Sequence, residues 1–280
     1  MHDANSNRVI VVGKHLNDTT TELVDRICHF LLGLGKIPTL DPTTAKFTGL
    51  EWEGVKEHQQ FSHCIAIGGD GTMMGAARTY GLRGIPLVGV NKGRVGFLTD
   101  IPEDSVFDKL NGILNGEFKK EEREILSVSF YKNDGTLLQE QVAVNDFVVR
   151  SKEGKFINFT LFTGNEFISS QYSDGVIVAT PTGSTAHALS AGGPIVHPGT
   201  KAWITVPICP LSLGNRPLVI PSDMELTIFS SSGEKLTGVC DGLPIHCDGK
   251  AVVKKKDGYT IYHHNSYSYF EGLRNKLSWA

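Results

Sequence analysis

Hydrophobic and polar positions follow two different patterns along the chain. In the first hundred residues, short apolar runs such as 8–12 and 63–67 alternate with segments whose apolar positions recur every three or four residues. Continuous apolar runs of this length predict strands covered on both faces, and the helical spacing at 23–34 and 72–80 predicts helices between the strands. The segment Asn17-Asp18-Thr19 is the predicted cap of the first helix. This alternation of strands and helices favours an α/β domain with a mostly parallel sheet.

The pattern changes after residue 123. Short runs of alternating apolar and polar residues now follow one another, and Asn-Asp-Gly at 133–135 predicts a β-hairpin between two of them. One helix is predicted after Ser184, and residues 267–279 return to helical spacing. The expected architecture is an N-terminal α/β domain at residues 1–100 and 266–280, an all-β-rich domain at 101–265, and a C-terminal helix that packs back on the first domain.

The composition and the net charge of the chain limit the classes of partner that we expect it to bind. The chain has 280 residues, of which 40% are hydrophobic and 20% charged, and its formal net charge is −3. No basic field is available to attract nucleic acid or an anionic membrane, so neither is an expected partner. The five cysteines form no CxxC pair and no metal-ligand spacing with histidine, and no signal-peptide pattern precedes the first strand. We therefore expect free thiols, no metal site built from cysteine and histidine, and a cytoplasmic location.

One carboxylate stands between glycines where an apolar strand ends and a small-residue helix begins, in the segment Gly68-Gly69-Asp70-Gly71-Thr72. Ligands bind at this edge of open α/β sheets, and the N–H groups at the helix start attract phosphate oxygens. Because Asp70 repels phosphate, we expect it to accept a hydrogen bond from a substrate hydroxyl or to hold a magnesium ion. The alternative is an ordinary turn in which Asp70 caps the helix. No Gly-Lys-Ser/Thr follows, so the segment is not a Walker A loop.

Two further segments combine polar groups with apolar strands. Residues 173–187 contain an acidic turn, a buried strand and a hydroxyl-rich loop before a predicted helix, and such a loop suits ribose and pyrophosphate oxygens. Asn145 and Asp146 interrupt an apolar strand, and burying either side chain without partners costs about 1–3 kcal/mol. A ligand with ribose hydroxyls and an amino group would satisfy both. A capped turn and a β-bulge with local hydrogen bonds are the respective alternatives.

Taken together, these segments resemble the NAD kinase family. The family's GGDGT motif stands at 68–72, its Asn-Glu/Asp pair at Asn145 and Asp146, and its TPTGSTA-type loop at 180–186. Residues 88–100 resemble the family's segment between the two domains. The runs LSAGGPIVHP, NRPLVIP and YSYFEGLRNKLSW resemble the γ-proteobacterial branch. The resemblance covers nearly the whole chain and implies an N-terminal α/β domain, a β-rich C-terminal domain and a site between them.

The resemblance implies an enzyme that transfers the γ-phosphoryl group of ATP, with Mg²⁺ and without a tightly bound prosthetic group, to the 2′-hydroxyl of the adenosine ribose of NAD. Asp70 would be the proton acceptor, and Asn145 and Asp146 would bind the ribose and adenine side of NAD. The other implied contacts are Gly68, Gly69, Gly71 and Thr72 in the phosphate loop, Asp174 and Tyr172 toward the nicotinamide or the phosphates, and Phe97, Thr185, Ala186, His187, Ala188, Leu189 and Ser190 around the adenine. Family members are commonly homodimers or homotetramers whose neighbouring subunits complete the site.

Three positions depart from the family pattern. Many relatives have Tyr at His187, a basic residue at Tyr172 and Gln at Leu243, and none of these positions belongs to the phosphoryl-transfer centre. Two other functions fit parts of the sequence. One is a GGDGT-type lipid kinase, such as a diacylglycerol or sphingosine kinase, which needs an apolar cleft for its lipid. The other is a nucleotide-binding regulator that senses NAD(H) without chemistry. The sequence leaves open NAD against NADH, ATP against polyphosphate, the regulators and the number of subunits.

Overall fold

A computed structural model describes residues 2–13, 18–93, 96–231, 233–247 and 249–279. Asn17, the first residue of the predicted helix cap, and Arg94 and Val95 of the segment 88–100 lie outside the described residues. The helices are α1 (Asp18–Gly33), α2 (Pro42–Thr48), α3 (Asp70–Thr79), α4 (Val106–Leu114), α5 (His187–Ser190) and α6 (Tyr269–Leu277), with short 3₁₀ helices at Gly81–Arg83, Glu103–Ser105 and Thr182–Thr185. The strands are β1 (Arg8–Gly13), β2 (Ile37–Leu40), β3 (His63–Gly68), β4 (Leu87–Asn91), β5 (Ile101–Pro102), β6 (Phe118–Tyr131), β7 (Leu137–Ala143), β8 (Asp146–Ser151), β9 (Ile157–Thr163), β10 (Glu166–Ser173), β11 (Gly175–Ala179), β12 (Ala202–Ile208), β13 (Leu218–Pro221), β14 (Leu226–Ser230), β15 (Leu236–Cys240), β16 (Leu243–Cys247) and β17 (Lys250–His264).

The chain divides into two compact units, Met1–Glu122 with Tyr259–Ala280, and Arg123–Gly258. The sequence placed the division after residue 100 and the return at 266. The first unit extends further because α4 packs its apolar face, through Val106, Leu110 and Ile113, into the same hydrophobic core as β1 and β3. A helix that is buried in this way belongs to the unit whose core it completes.

The first unit is an α/β structure with a parallel sheet, as the sequence predicted. Its strand order is β2–β1–β3–β4, and every pairing among these strands is parallel. The C-terminal part of β17 and the short β5 also pair with β4 in parallel. In the register of β3 with β4, Gly68 stands opposite Asn91, so the loops after these two strands leave the sheet side by side.

The sequence predicted helix α6 but not helix α2. The predicted C-terminal helix is α6, which lies in the first unit, is capped by Ser268 and buries Leu273. Helix α2 was not predicted, because its seven residues bury only Thr44 and so carry no repeating apolar face. The Asp41 side chain, which accepts from two backbone N–H groups at its start, holds this helix in place instead.

The second unit is rich in antiparallel β-structure, as predicted. One sheet has the order β13–β12–β11–β8–β15–β16, and β10–β9–β14–β17 lie in the other with the β6–β7 hairpin. The turn at 133–135 joins β6 to β7, which confirms the predicted hairpin. The core between the strands contains Phe130, Phe147, Phe159 and Trp203. Among the described residues of both units, no helix combines the length and apolar character that crossing a membrane requires.

The helix predicted after Ser184 is shorter than expected. The sequence predicts one helix over 185–191, whereas the structure has a 3₁₀ turn at Thr182–Thr185 and a single α-turn at His187–Ser190. Ala186, with φ −102° and ψ −128°, separates the two and is not helical. The hydrogen bonds of Thr180 and Ser184 fix the backbone of this loop, and they outweigh the helix propensity of the residues.

Candidate active site

The carboxylate of Asp70 is held by the loop that follows β4. Oδ2 accepts a hydrogen bond from the backbone N–H of Phe97 at 2.8 Å, and Oδ1 accepts one from the N–H of Leu98 at 2.9 Å. Asp70 is the first residue of α3, whose cap position is occupied by Gly69 without a side-chain hydrogen bond. The Asp70 side chain, which is 31% exposed, is therefore a fixed and accessible carboxylate and does not cap its own helix.

At two positions around Asp70, only glycine fits without a steric clash. A Cβ atom at Gly68, whose φ is +150°, would lie 2.4 Å from Oγ1 of Thr72. A Cβ atom at Gly96 would lie 1.9 Å from Oδ1 of Asp70. By contrast, nothing lies within 4 Å of a Cβ built at Gly69 or at Gly71. These two residues therefore leave open space beside the carboxylate, which is what the approach of a large substrate needs.

A lysine from the C-terminal helix also reaches Asp70. Nζ of Lys276 on α6 lies 3.7 Å from Oδ2 of Asp70 and 4.6 Å from the centre of the Phe97 ring. Sequence reasoning missed Lys276, because it predicted α6 from apolar spacing and singled out none of its charged residues. Phe97, which the resemblance placed beside the adenine, thus contacts the Asp70 site through both its N–H and its ring.

In the second unit, Asn145 and Asp146 are held by a carboxylate that the sequence analysis did not single out. Oδ2 of Asp241 accepts from the N–H of Val144 at 2.7 Å, and Oδ1 accepts from the N–H groups of Asn145 at 2.8 Å and Asp146 at 3.2 Å. The Asp241 N–H in turn donates to the Asp146 carbonyl at 3.0 Å. Asp241 has φ +46°, in the left-handed region that Asp and Asn tolerate better than most residues. The Asp-Gly turn after β15 was the available signal for it.

This arrangement corrects one expectation about the pair. The sequence placed Asn145 and Asp146 inside an apolar strand, whereas β8 begins at Asp146 and pairs regularly with β11 and β15. Val144, which precedes the pair, is apolar and buried like residues 147–149 of β8, so in the sequence the segment 143–149 resembled one continuous strand. Since Asp241 accepts from the backbone N–H groups of 144–146, Val144 and Asn145 need no ladder partners, and Asp146 begins the strand opposite Ala179.

Asp146 is a buried acid beside another acid. It is only 7% exposed, and burial, followed by the negative charge of Asp241, raises the pKa of its carboxyl to about 6. A raised pKa of this kind is common at binding and catalytic positions, where a carboxyl group must exchange a proton or meet a ligand near neutral pH. It marks Asp146 as a candidate contact for a ligand donor.

The hydroxyl-rich loop after β11 is tied to the same strand start. Oγ1 of Thr180 donates to the Val144 carbonyl at 2.7 Å and accepts from the N–H of Gly183 at 3.0 Å, while the Thr180 N–H donates to the Asn145 carbonyl at 2.9 Å. A Cβ atom at Gly183 would lie 2.0 Å from the Asn145 carbonyl oxygen, so only glycine allows this approach. The loop and the Asn145–Asp146 pair therefore form one rigid cluster.

Several hydroxyls in this loop are engaged internally. Oγ of Ser184 donates to the Pro181 carbonyl at 2.6 Å and accepts from the N–H of Val196 at 3.0 Å. Nη1 of the buried Arg123 donates to Oγ1 of Thr182 at 3.1 Å. The sequence interpreted the density of hydroxyls as a surface for ribose and phosphate. In the structure, the hydroxyls of Thr180 and Ser184 make hydrogen bonds that hold the loop in its shape.

The remaining predicted contacts differ in exposure. Thr185, Ala186, His187 and Leu189 are half-buried, and Ser190 is exposed. Ala188 is fully buried in an apolar cluster with Val148 and Ile177, so its side chain packs in the core. Burial, followed by the charge of Arg150, lowers the pKa of His187. Asp174 is half-buried between β10 and β11, and Tyr172 is exposed and stacks near Phe156 with ring centres 6.2 Å apart.

Comparisons with known proteins connect both clusters to one family. The family model described as the ATP-NAD kinase N-terminal domain matches residues 9–118, and the ATP-NAD kinase C-terminal domain matches residues 144–266. The NAD kinase of Laribacter hongkongensis is 43% identical over 222 residues, which are 77% of this chain and 76% of that protein. The NAD kinase of Acidovorax sp. (strain JS42) is 36% identical over 290 residues, covering 97% and 96%. The chain belongs to the NAD kinase family.

Solved structures agree with the NAD kinase fold. An NAD kinase from Archaeoglobus fulgidus in complex with ATP has a TM-score of 0.76 at 26% identity, covering 97% of this chain and 98% of that one. A yeast NADH kinase complexed with NADH has a TM-score of 0.84 at 22% identity, covering 98% and 88%, and this likeness shows the fold. As a member of the NAD kinase family, the chain is a kinase, and the lipid kinase and the non-catalytic sensor are set aside.

Proposed function

We propose that this chain transfers the γ-phosphoryl group of ATP to the 2′-hydroxyl of the adenosine ribose of NAD, giving NADP, and that Asp70 receives the proton of that hydroxyl. The observation that carries the assignment is the accessible Asp70 carboxylate, fixed by two backbone N–H groups beside glycines that leave open space. A carboxylate that is positioned without help from the substrate can orient a hydroxyl as soon as it binds.

The geometry leaves acceptor capacity for the substrate. Each oxygen of an ionised carboxylate can accept about two hydrogen bonds, and each Asp70 oxygen accepts one from the backbone. The 2′-hydroxyl donates to Asp70 while its oxygen attacks the γ-phosphorus in line. The new oxygen–phosphorus bond forms, the bond to the β-phosphate oxygen breaks, and the proton passes to Asp70. Phosphoryl transfer of this type depends on positioning and electrostatic stabilisation more than on a strong base.

We propose that Mg²⁺ enters bound to ATP. Within the described ranges, no three His, Cys, Asp or Glu side chains are grouped as metal ligands. Mg²⁺ prefers oxygen ligands and is usually held by substrate phosphates, waters and one or two carboxylates. Of the residues at this site, the Asp70 carboxylate is the group whose chemistry suits the ion. When bound, the ion neutralises the charge of the phosphate oxygens.

The second unit would bind NAD. Asn145 and Asp146, held in place by Asp241, would meet the ribose and adenine side, because a half-buried amide and a buried carboxylate at a strand start gain hydrogen bonds from a ligand. The half-buried residues of 185–190 would line the adenine pocket, with Ala188 contributing through the backbone alone. Asp174 and Tyr172 would lie toward the nicotinamide end.

We further propose that the chain works as a homodimer or homotetramer. Support comes from four large apolar side chains that are exposed on and before the edge strand β13, namely Leu211, Leu213, Leu218 and Val219. An edge strand with exposed apolar groups is stabilised when a second copy covers it. A cytoplasmic location is supported by the free thiols of Cys28, Cys64 and Cys209, which suit a reducing compartment.

The test of the proposed function is Asp70→Asn. The amide keeps the size of the side chain but cannot take the proton, so we expect turnover of NAD with ATP to fall by about 10²–10⁴-fold. NAD binding, measured by calorimetry, should change much less. Asp134→Asn, at an exposed aspartate in the β6–β7 turn, is the matched control and should leave turnover unchanged. Normal turnover in a folded Asp70→Asn protein would remove Asp70 from the chemistry.

A further inference from the structure

Lys276 is held beside the reacting carboxylate by its own packing. Lys276 belongs to the exposed residues of the terminal helix, but its side chain alone is 26% exposed, because the contacts described above cover part of it. Leu273, three residues earlier on α6, is buried, and residues three apart lie on the same face of a helix. The ammonium lies over the ring of Phe97, whose N–H holds Asp70. A lysine stem on an aromatic face keeps the ammonium near one place instead of free in water.

The distance between the ammonium and the carboxylate is informative. Hydrogen bonds between an ammonium and a carboxylate are about 2.7–2.9 Å long, whereas Nζ of Lys276 lies 3.7 Å from Oδ2 of Asp70. The two charges therefore attract each other without a close hydrogen bond. An ammonium has three donors, and this contact leaves donors available for oxygens of a bound substrate.

We propose that Lys276 is a catalytic residue, which binds the phosphoryl group while it is being transferred to the hydroxyl that Asp70 orients. The proposal rests on the proposed function of Asp70. A hydroxyl that donates to Oδ2 lies about 2.7 Å from it, and Nζ of Lys276 lies 3.7 Å from the same oxygen. The phosphorus that bonds to this hydroxyl carries its oxygens into the neighbourhood of the ammonium.

The charges change in the direction that catalysis requires. Before reaction, Lys276 interacts with the negative charge of Asp70. As the hydroxyl proton passes to Asp70, that negative charge disappears, and the ammonium interacts with the phosphoryl oxygens instead. An interaction that becomes stronger in the transition state than in the ground state raises turnover and leaves substrate binding almost unchanged.

Three variants on α6 test the proposal. Lys276→Met keeps the length and the helix propensity of the side chain but removes the charge. We expect kcat to fall by about 10²-fold, the size typical for loss of one preorganised donor, with the KM for NAD changed by less than threefold. Lys276→Arg should recover a large part of the loss. Arg274→Met, at an exposed position of the same helix, removes the same charge and should behave as the unmodified protein.

A further measurement separates chemistry from structure. Lys276→Ala should regain turnover when methylammonium is added, because the small cation can occupy the place of the missing ammonium, and a merely structural role predicts no rescue. Thermal unfolding of each variant shows whether α6 is intact. A kcat of Lys276→Met within threefold of the unmodified value, or absence of both rescue by methylammonium and recovery in Lys276→Arg, would overturn the proposal. If Asp70→Asn loses turnover and Lys276→Met does not, the proposed function stands and this inference fails.

Discussion

The fixed position of Asp70 makes Gly96→Ala a direct test of the site. The backbone at Gly96 does not have a φ in the region that favours glycine, so alanine meets no conformational penalty there. What alanine lacks is space, because its Cβ would lie 1.9 Å from Oδ1 of Asp70 and 2.3 Å from Oγ1 of Thr99. Since the carboxylate is a flexible group on the other side of the contact, we expect the side chain of Asp70 to move.

The size of the movement sets the expected effect. Real Cβ contacts are not shorter than 3.0 Å, so the Asp70 oxygen must retreat by about 1 Å. A misplacement of about 1 Å in a reacting group costs about 10²-fold in rate. The movement also breaks the hydrogen bonds from Phe97 and Leu98, and hydrogen bonds to a charged group contribute about 1.5–3 kcal/mol each. We therefore expect kcat to fall by at least about 10²-fold, with a loss of thermal stability.

The assay compares NADP formation in Gly96→Ala with Gly54→Ala. A Cβ at Gly54 has nothing within 4 Å, and this residue also has no positive φ, so the control differs only in the space around the methyl group. Both proteins should be checked by circular dichroism before the kinetics. A folded Gly96→Ala protein with kcat close to that of Gly54→Ala would show that the position of Asp70 does not limit the reaction.

For two titratable side chains, the shifted pKa fixes the direction in which the stability of the protein changes with pH. Because the pKa of Asp146 is raised to about 6 from its usual value near 4, its ionisation destabilises the fold progressively between these pH values and fully above them. Asp146→Asn should therefore increase the free energy of unfolding at pH 8 by up to about 3 kcal/mol, measured by urea titration, while raising the KM for NAD; equal stability at pH 8 would contradict the assignment. Burial tends to lower the pKa of His263, but its contacts at 3.2 Å with Asp100 and Glu121 outweigh burial and raise it. Its contribution to stability is thus fully present below about pH 6.5 and disappears as pH rises through the raised pKa, so His263→Gln should destabilise the protein near pH 6 and flatten this pH dependence; a variant with the unchanged pH profile would refute it.

The sequence predicted the features that depend on neighbouring residues. The strand, the glycine loop and the start of α3 around Asp70 are contiguous, and the hairpin at 133–135 depends on three turn residues. Both features could therefore be predicted from the local sequence pattern. The end of the first unit was not, because α4 joins the core of that unit through packing against strands far earlier in the chain.

The contacts that fix the site residues were not predictable in the same way. Asp70 is held by backbone N–H groups, and any residue except proline has such a group, so no residue type signals the partner. Asp241 is 96 residues from Asn145 along the chain. Lys276 reaches Asp70 only because Leu273 anchors α6 on the first unit. These contacts follow from the tertiary fold and have no local pattern.

The dipeptide Asp-Gly shows how the fold can hold the same carboxylate in different ways. It occurs six times in this chain, among them at Asp70, Asp134 and Asp241. Oδ1 of Asp134 accepts from the N–H of Thr136 within its own turn, and Asp241 accepts from three consecutive N–H groups of a strand start. Within the described part of the chain, Asp70 accepts from two N–H groups of a separate loop, and it has open space at the next glycine and a lysine beside it. The same residue pair thus closes a turn at Asp134, supports a strand start at Asp241 and leaves an accessible carboxylate at Asp70. The three cases differ in where the N–H groups come from, because those facing Asp134 belong to its own turn, whereas those facing Asp241 and Asp70 belong to segments distant in the chain.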